Sequence, residues 1–122
     1  MSKQEVLASQ IENLFNAIPE LNGVLLASVD GLPIVHSLSN GADPNRVAAM
    51  AVAAANLGAR VSDVIETGSV TEVNIRAAEG DLFVYSAGGK AVLAVLGPKH
   101  ANAGLIHLEA RASARQIAEL FA

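Results

Sequence analysis

Residues 43–66, DPNRVAAMAVAAANLGARVSDVIE, decide how this chain folds. The stretch predicts one helix of about six turns. Asp43 can accept hydrogen bonds from the first free backbone N–H groups, and Pro44 suits the first helical position because it has no N–H to lose. Thr67 and Gly68 mark its end, before a β-branched run begins.

This helix has two apolar faces when its residues are placed at 100° intervals. The first face carries mostly large side chains and is expected to pack on a sheet: Val47, Met50, Ala54, Leu57, Val61 and Ile65. The second face, roughly opposite, is mostly small: Ala48, Val52, Ala55 and Ala59, beside a polar stripe of Asn56, Arg60 and Asp63. A helix in a monomer needs one buried face, so the second predicts a partner, most economically another copy of the chain. The alternative is that alanine is simply the best helix former and this face is solvated.

The flanking segments predict the order α-β-β-α-β-β-β-α in a single domain spanning residues 1–122. The outer helices are predicted at 3–18 and 102–121, and the strands at 23–29, 32–37, 70–78, 82–87 and 91–96. Asp30-Gly31 predicts a hairpin with a type I′ turn, and Pro33 places the second strand at a sheet edge. The last two strands are apolar on both faces, so they should be central, with the first and last helices on one face and the long helix on the other.

The third strand alternates in a way that marks a half-exposed strand. Thr71, Val73 and Ile75 face one way, whereas Glu72, Asn74 and Arg76 face the other. Such a strand can offer an unpaired edge.

Composition narrows the function classes. The chain is 52% hydrophobic and only 16% charged, an apolar excess that favours oligomerisation. A net charge of −4 without a basic stripe argues against nucleic acid. The absence of cysteine removes disulfides and thiolate chemistry and fits a reducing cytoplasm, which is the expected location. The polar N-terminus is no signal peptide, and no apolar run approaches the ~18 residues that span a membrane, so membrane insertion is not expected.

Motifs for chemistry are weak throughout. Gly88-Gly89-Lys90 lacks the upstream glycine and the following Ser or Thr of a phosphate loop, and a tight turn explains it better. The three histidines, His36, His100 and His107, show no metal-ligand spacing. No carboxylates are paired for acid–base catalysis. We therefore expect no enzyme activity, no metal and no cofactor.

Four features together resemble the Roadblock family, of the dynein light-chain type. They are the hairpin GVLLASVDGLPIVHS (23–37), the Ala-rich helix, the strand pair LFVYSAGGKAVLAVLGP (82–98), and the final helix that opens ANAGLIHLEAR (101–111). The resemblance implies an α/β (α+β) fold, a profilin-like three-layer sandwich in which a five-stranded antiparallel sheet has helices on both faces. It also implies dimers in which central helices pack about a two-fold axis and third strands join. Placed on this sequence, the dimer interface would comprise Ala48, Val52, Ala55, Asn56, Ala59, Thr71, Val73 and Ile75.

The resemblance further implies a function. Family members are scaffolds and regulators associated with Ras-like small GTPases, and a partner in the bacterial branch stimulates GTP hydrolysis by reshaping the GTPase's own site. No catalytic residue is therefore named. Arg46, Arg60 and Asp63 are the candidate partner-binding residues, and either arginine could act as a finger; the alternative is that the arginines are solvated or that Arg60 pairs with a nearby carboxylate. Two other functions stay open: a structural adaptor that ignores nucleotide state, and a small-molecule sensor or enzyme that uses a cleft beside the His36 strand.

Overall fold

The chain folds in the predicted order, in a computed structural model that describes residues 1–39 and 41–121. Every predicted helix and strand is present, and the ends differ from prediction by at most two residues. The elements are α1 (Lys3–Ala17), β1 (Gly23–Ser28), β2 (Pro33–Leu38), α2 (Pro44–Ile65), β3 (Glu72–Ala77), β4 (Gly80–Ser86), β5 (Ala91–Pro98) and α3 (Ala103–Leu120).

The central helix α2 begins and ends as local chemistry dictates. The Asp43 side chain accepts a hydrogen bond from the Asn45 backbone N–H at 3.0 Å, and Pro44 occupies the first turn. At the other end Glu66 adopts the left-handed conformation with φ of 57°, and its N–H donates to the Ser62 carbonyl. Ser62 is buried, and its hydroxyl bonds to the Gly68 carbonyl, which fixes the exit of the chain towards β3.

The five strands form one antiparallel sheet in the order β2-β1-β5-β4-β3. The predicted positions are confirmed: β2, which begins at Pro33, lies at one edge, and β4 and β5 lie inside the sheet. The half-polar strand β3 forms the opposite edge.

The β1–β2 hairpin is confirmed, but its predicted turn type is wrong. A type I′ turn needs positive φ at both central residues, and Gly31 has φ of 86° whereas Asp30 is not in that region. The Gly31 N–H donates to the Ser28 carbonyl at 2.9 Å, and the Ser28 N–H donates to the Leu32 carbonyl at 2.8 Å. This is a type I turn followed by a left-handed glycine bulge, the usual form of a three-residue hairpin loop.

Helices cover both faces of the sheet, as predicted. On one face α1 and α3 enclose the larger part of the core, whose largest members include Leu7, Ile11, Phe83, Tyr85, Ile106 and Ile117. On the other face α2 packs alone over Leu25, Ala27, Val84, Val92 and Ala94.

The prediction of which α2 face meets the sheet is wrong. The small face is the buried one: Ala48 and Val52 are almost fully buried, as is Ala51, and Ala55 packs partly buried against the same cluster. The large face is mostly exposed. The physical reason is close approach, because a Cβ at Gly58 would lie only 2.7 Å from Val73 Cγ2. A helix this near the sheet has room beneath it for alanine but not for leucine.

The segment Pro44–Ile65 is long and apolar enough, by length and composition alone, to cross a membrane. In this fold it is the helix that covers one face of the sheet, and a core helix of a soluble protein passes the same test. Its apolar character is therefore accounted for by packing on the sheet and by the exposed surface described next.

Candidate functional site

The most distinctive surface is an apolar strip on the flank of α2 that faces β3. We call it the α2–β3 strip. Its side chains are between 47% and 82% exposed: Met50, Leu57, Val61, Val64, Ile65 and, from the edge strand, Ile75. Contiguous exposed apolar side chains of this size mark an interaction site, whereas single exposed ones do not.

Two open grooves run along the strip. The first, of about 440 Å³, lies beside the first half of α2 and is lined by Val47, Met50, Ile75, Leu82 and Leu96 among others. The second, of about 380 Å³, lies beside the second half of α2, where Leu57, Val61 and Val73 contribute to its walls. Ile75 lines both grooves, so they form one continuous apolar surface between the helix and the sheet edge.

The β3 edge borders this surface. β3 pairs with β4 on one side, and no strand within residues 1–39 and 41–121 pairs with its other side. The predicted alternation is confirmed: Val73 and Ile75 lie on the α2 side, whereas Glu72 and Arg76 contact groups on the α3 side. Thr71 is exposed just before the strand and accepts a hydrogen bond from the Ser86 N–H.

A polar cluster joins β3 to α3 on the opposite face of the sheet. Arg111 Nε donates to Glu72 Oε2 at 2.9 Å, and Arg111 Nη2 bonds the other oxygen. His107 Nδ1 lies 2.8 Å from the Tyr85 hydroxyl and 3.8 Å from Glu72 Oε1. The hydrogen bond from Arg111 lowers the pKa of Glu72, and burial raises the pKa of Tyr85. The cluster holds Glu72 ionised and oriented. Sequence reasoning missed it, because Arg111 and Glu72 are 39 residues apart.

The structure separates the residues that were predicted to form the dimer interface. Ala48 and Val52 lie inside their own chain, so their assignment to an outward surface is wrong, and Ala55 is half-buried beside them. Asn56 and Ala59 are exposed, but they lie on the side of α2 away from the strip. Thr71, Val73 and Ile75 do lie together at the β3 edge. Self-association itself stays a prediction, and the exposed surface that suits it is the strip.

The candidate partner-binding residues are exposed but do not converge. The Arg46 side chain is 88% exposed at the start of α2, with Nε 3.8 Å from Asp43 Oδ2. Arg60 and Asp63 are exposed about 21 Å and about 26 Å further along the helix, at 1.5 Å per residue. Among the described residues Arg60 forms no ion pair.

The histidines contribute no assembled metal site. Within residues 1–39 and 41–121, no group of three or more His, Asp or Glu side chains is placed to hold a metal ion. His36 is exposed on β2, His100 sits in the loop before α3, and His107 belongs to the cluster with Tyr85.

The architecture defines a class: a three-layer α/β/α sandwich that presents an apolar helix flank and an open sheet edge, the surfaces with which proteins bind proteins. The family model of the Roadblock/LC7 domain matches residues 7–97, and the chain therefore belongs to the Roadblock/LC7 family. Domains of this family are adaptors and regulators in kind.

Solved structures agree on the fold. A Roadblock/LC7 domain from Streptomyces avermitilis is 24% identical, with a TM-score of 0.83 over 90% of this chain and 92% of that one. A structure described as MglB with tetrameric arrangement has 16% identity and a TM-score of 0.89 over 98% and 90%. Myxococcus xanthus MglB has 15% identity and a TM-score of 0.87 over 99% and 91%. No curated protein matches the sequence.

Proposed function

We propose that this chain is a homodimeric regulatory or scaffolding partner of a Ras-like small GTPase in the cytoplasm, where it modulates GTP hydrolysis or the position of the GTPase. The α2–β3 strip carries the proposal, because contiguous large apolar side chains that are half or more exposed mark a surface on which another protein docks. Family membership supplies the class of partner, since the Roadblock resemblance implies association with such GTPases.

The first step is self-association through the strip. A second copy related by a two-fold axis would place α2 against α2 and bring the two β3 edges together, so that each copy covers the other's grooves. Large apolar side chains that are half or more exposed in one chain would then be buried in the pair. Each Å² of apolar surface removed from water contributes roughly 25 cal/mol.

The second step is contact with the GTPase through the polar side of α2, which borders the strip. This side carries Arg60 and Asp63, and Arg60 lies one turn from Leu57 and Val64. Arg46 is exposed at the start of α2, where it also lines the first groove. A two-fold dimer presents these groups twice on one face. The arginines would attract the anionic side chains around a nucleotide site, and stimulation would come from reshaping that site.

The test is a pull-down that uses the purified protein as bait, with cell lysate loaded in parallel with GDP or a non-hydrolysable GTP analogue. We expect a small GTPase retained mainly in the GTP-analogue lane, and its loss when the bait carries Arg46→Ala and Arg60→Ala. Arg115→Ala, on the opposite face of the molecule, is the matched control and should bind as the wild type. Identical partners in both lanes with no GTPase among them would overturn the proposal in favour of a nucleotide-independent adaptor.

A further inference from the structure

We propose that a groove between α3 and the start of β3 binds an extended acidic segment of a partner protein, with one carboxylate on Arg115 and a second on Arg111. We call it the α3 groove, and its walls include Glu72, Gly88, Arg111, Arg115 and Ala118. The groove is formed within one chain, so the inference goes beyond the proposed function and does not depend on self-association.

The α3 groove is an open groove of about 410 Å³ on the face of the sheet opposite the α2–β3 strip. One wall is the start of β3 with the end of β4 and the turn at Gly88. The other wall is one side of α3, where residues three and four apart lie together. This side carries Arg111, Ala114, Arg115 and Ala118. The two alanines are small, so the space between the arginines and the strands stays open.

The groove is positively charged, although the net charge of the chain is −4. Its carboxylate, Glu72, is already bound by Arg111 through Nε and Nη2. That pair uses two of the five N–H donors of the guanidinium, so Arg111 keeps donors for a second carboxylate. Arg115 is exposed and forms no ion pair among the described residues. Glu119, one turn further along α3, is exposed and does not line the groove.

The shape and lining of the groove favour a protein segment as the ligand. Small-molecule sites enclose most of their ligand, whereas this groove is open to solvent. A nucleic acid strand would need an aromatic surface for its bases, and Tyr85, the aromatic residue of the groove, is only 2% exposed. Guanidinium groups match the planar carboxylates of Asp and Glu. An acidic peptide segment therefore fits the α3 groove best.

The spacing of the two arginines sets the sequence pattern of that segment. Arg111 and Arg115 are four residues apart, which is about 6 Å along the axis of α3. In an extended segment, side chains on the same side are two residues apart, or about 7 Å. Two acidic residues separated by one other residue therefore match the two arginines. Two adjacent acidic residues point to opposite sides, so only one of them reaches the groove.

The α3 groove is independent of the surfaces already described. α3 lies outside residues 7–97 that match the family model, so family membership assigns this groove no role. The strip proposed for self-association lies on the other face of the sheet. A dimer formed through the strip would present two α3 grooves, and each would hold an acidic segment while α2 contacts another protein.

The test is a titration of the isotope-labelled protein with two peptides of the same composition, followed by the NMR shifts of its backbone amides. The peptides are Gly-Glu-Ser-Glu-Gly and Gly-Glu-Glu-Ser-Gly. We expect shifts confined to residues 71–72, 85–88 and 111–118, and about threefold tighter binding of the alternating peptide, because one exposed ion pair contributes less than about 1 kcal/mol. Equal affinity for the two peptides, shifts centred on α2, or no binding of either peptide would overturn the proposal.

A pair of charge reversals tests the role of Arg115. Arg115→Glu should weaken the alternating peptide on the order of tenfold, since it removes one attraction and adds a repulsion. Arg60→Glu makes the same change in net charge on α2 and should bind as the wild type. An equal loss in both variants would mean that only net charge matters, and it would overturn the site. Urea midpoints check that both variants are folded.

Arg115→Ala keeps a failure of this inference distinct from a failure of the proposed function. It should lose peptide binding yet retain the GTPase in the pull-down, where it serves as the control bait. Peptide binding that survives in Arg115→Ala contradicts the α3 groove alone, whereas absence of a GTPase from the wild-type bait contradicts the proposed function alone.

Discussion

Arg111 on α3 holds Glu72, the first residue of β3, through both carboxylate oxygens, with Arg111 Nε 2.9 Å from Glu72 Oε2. β3 is an edge strand, and in the described part of the chain its backbone pairs only with β4. The ion pair is therefore a second attachment, and it fastens the candidate docking edge to the helix layer on the opposite face of the sheet. Through His107 and Tyr85 the same attachment reaches the core.

This attachment predicts a pH-dependent loss of stability. Hydrogen bonding from Arg111 lowers the pKa of Glu72 below its ordinary value of 4.5. A carboxylate with a lowered folded-state pKa contributes stability that is fully present above the unfolded pKa and is lost as pH falls through the folded one. Arg111→Gln should therefore lower the urea midpoint at pH 7, and the difference from wild type should shrink as pH falls below 4.5.

Arg115→Gln is the matched control, because Arg115 lies one turn along α3 and forms no ion pair among the described residues. It should leave the midpoint unchanged at every pH. An Arg111→Gln difference that persists undiminished at pH 3 would show that the side chain acts by packing instead of by charge. All midpoints are compared at one protein concentration, since self-association makes stability concentration-dependent.

Residues that act on their own backbone predicted where the helices and strands lie. Which face of α2 meets the sheet depends on contacts between distant segments, and these were not predictable from the sequence. Asp43, Pro44 and Pro33 act through their own backbone, so the start of α2 and the edge position of β2 were readable from sequence. Periodicity showed that α2 has two apolar faces, but it could not show which one meets the sheet. That depends on the steric fit over Val73 and its neighbours, where Gly58 brings the helix close. Large side chains were expected inside because burial usually favours them, and close approach overrode that preference.

In the candidate site, too, local features were predictable from the sequence and contacts between distant segments were not. The edge strand and its alternation were predictable from residues 71–76 alone. The Arg111–Glu72 link joins distant segments, and the turn at Gly31 differs from prediction because the hairpin signal Asp-Gly is shared by two turn types. The misplaced interface residues Ala48 and Val52 follow directly from the reversed face of α2.

Two substitutions to glutamate test which side of α2 meets the second copy. Leu57 is 61% exposed in the strip, so Leu57→Glu should leave the monomer folded but should break the dimer, because a partner would desolvate the new charge without compensating it. Ala59 is also exposed but lies off the strip, so Ala59→Glu should stay dimeric. Light scattering over a dilution series measures both. If Ala59→Glu dissociates while Leu57→Glu stays dimeric, the two copies meet through the small-residue side of α2 and not through the strip.

The left-handed conformation of Gly31 predicts a local stability cost. A β-branched side chain is strained at φ of 86°, so Gly31→Val should cost about 1–3 kcal/mol. The control is Gly89→Val, because Gly89 lacks positive φ and a Cβ there would meet open space. Urea unfolding of both variants measures the difference. Equal midpoints for the two would mean that the hairpin relaxes around the new side chain.

The contact between Gly58 and Val73 predicts that Gly58→Ala destabilises the protein when residue 73 is valine and stabilises it when residue 73 is alanine. Alanine is a better helix former than glycine by about 1 kcal/mol, yet a Cβ at position 58 would lie 2.7 Å from Val73 Cγ2. Val73 has a stiff χ1 and lies on a strand, so α2 must move outward, and such overpacking costs about 1–3 kcal/mol. Gly58→Ala alone should therefore destabilise the protein. In a Val73→Ala background the clash is gone, and the same Gly58→Ala change should stabilise it. A double-mutant cycle of urea midpoints gives the coupling between the two sites. Additive effects would mean that α2 does not lie as close to β3 as this contact requires, and the reason for the reversed α2 face would then fail with it.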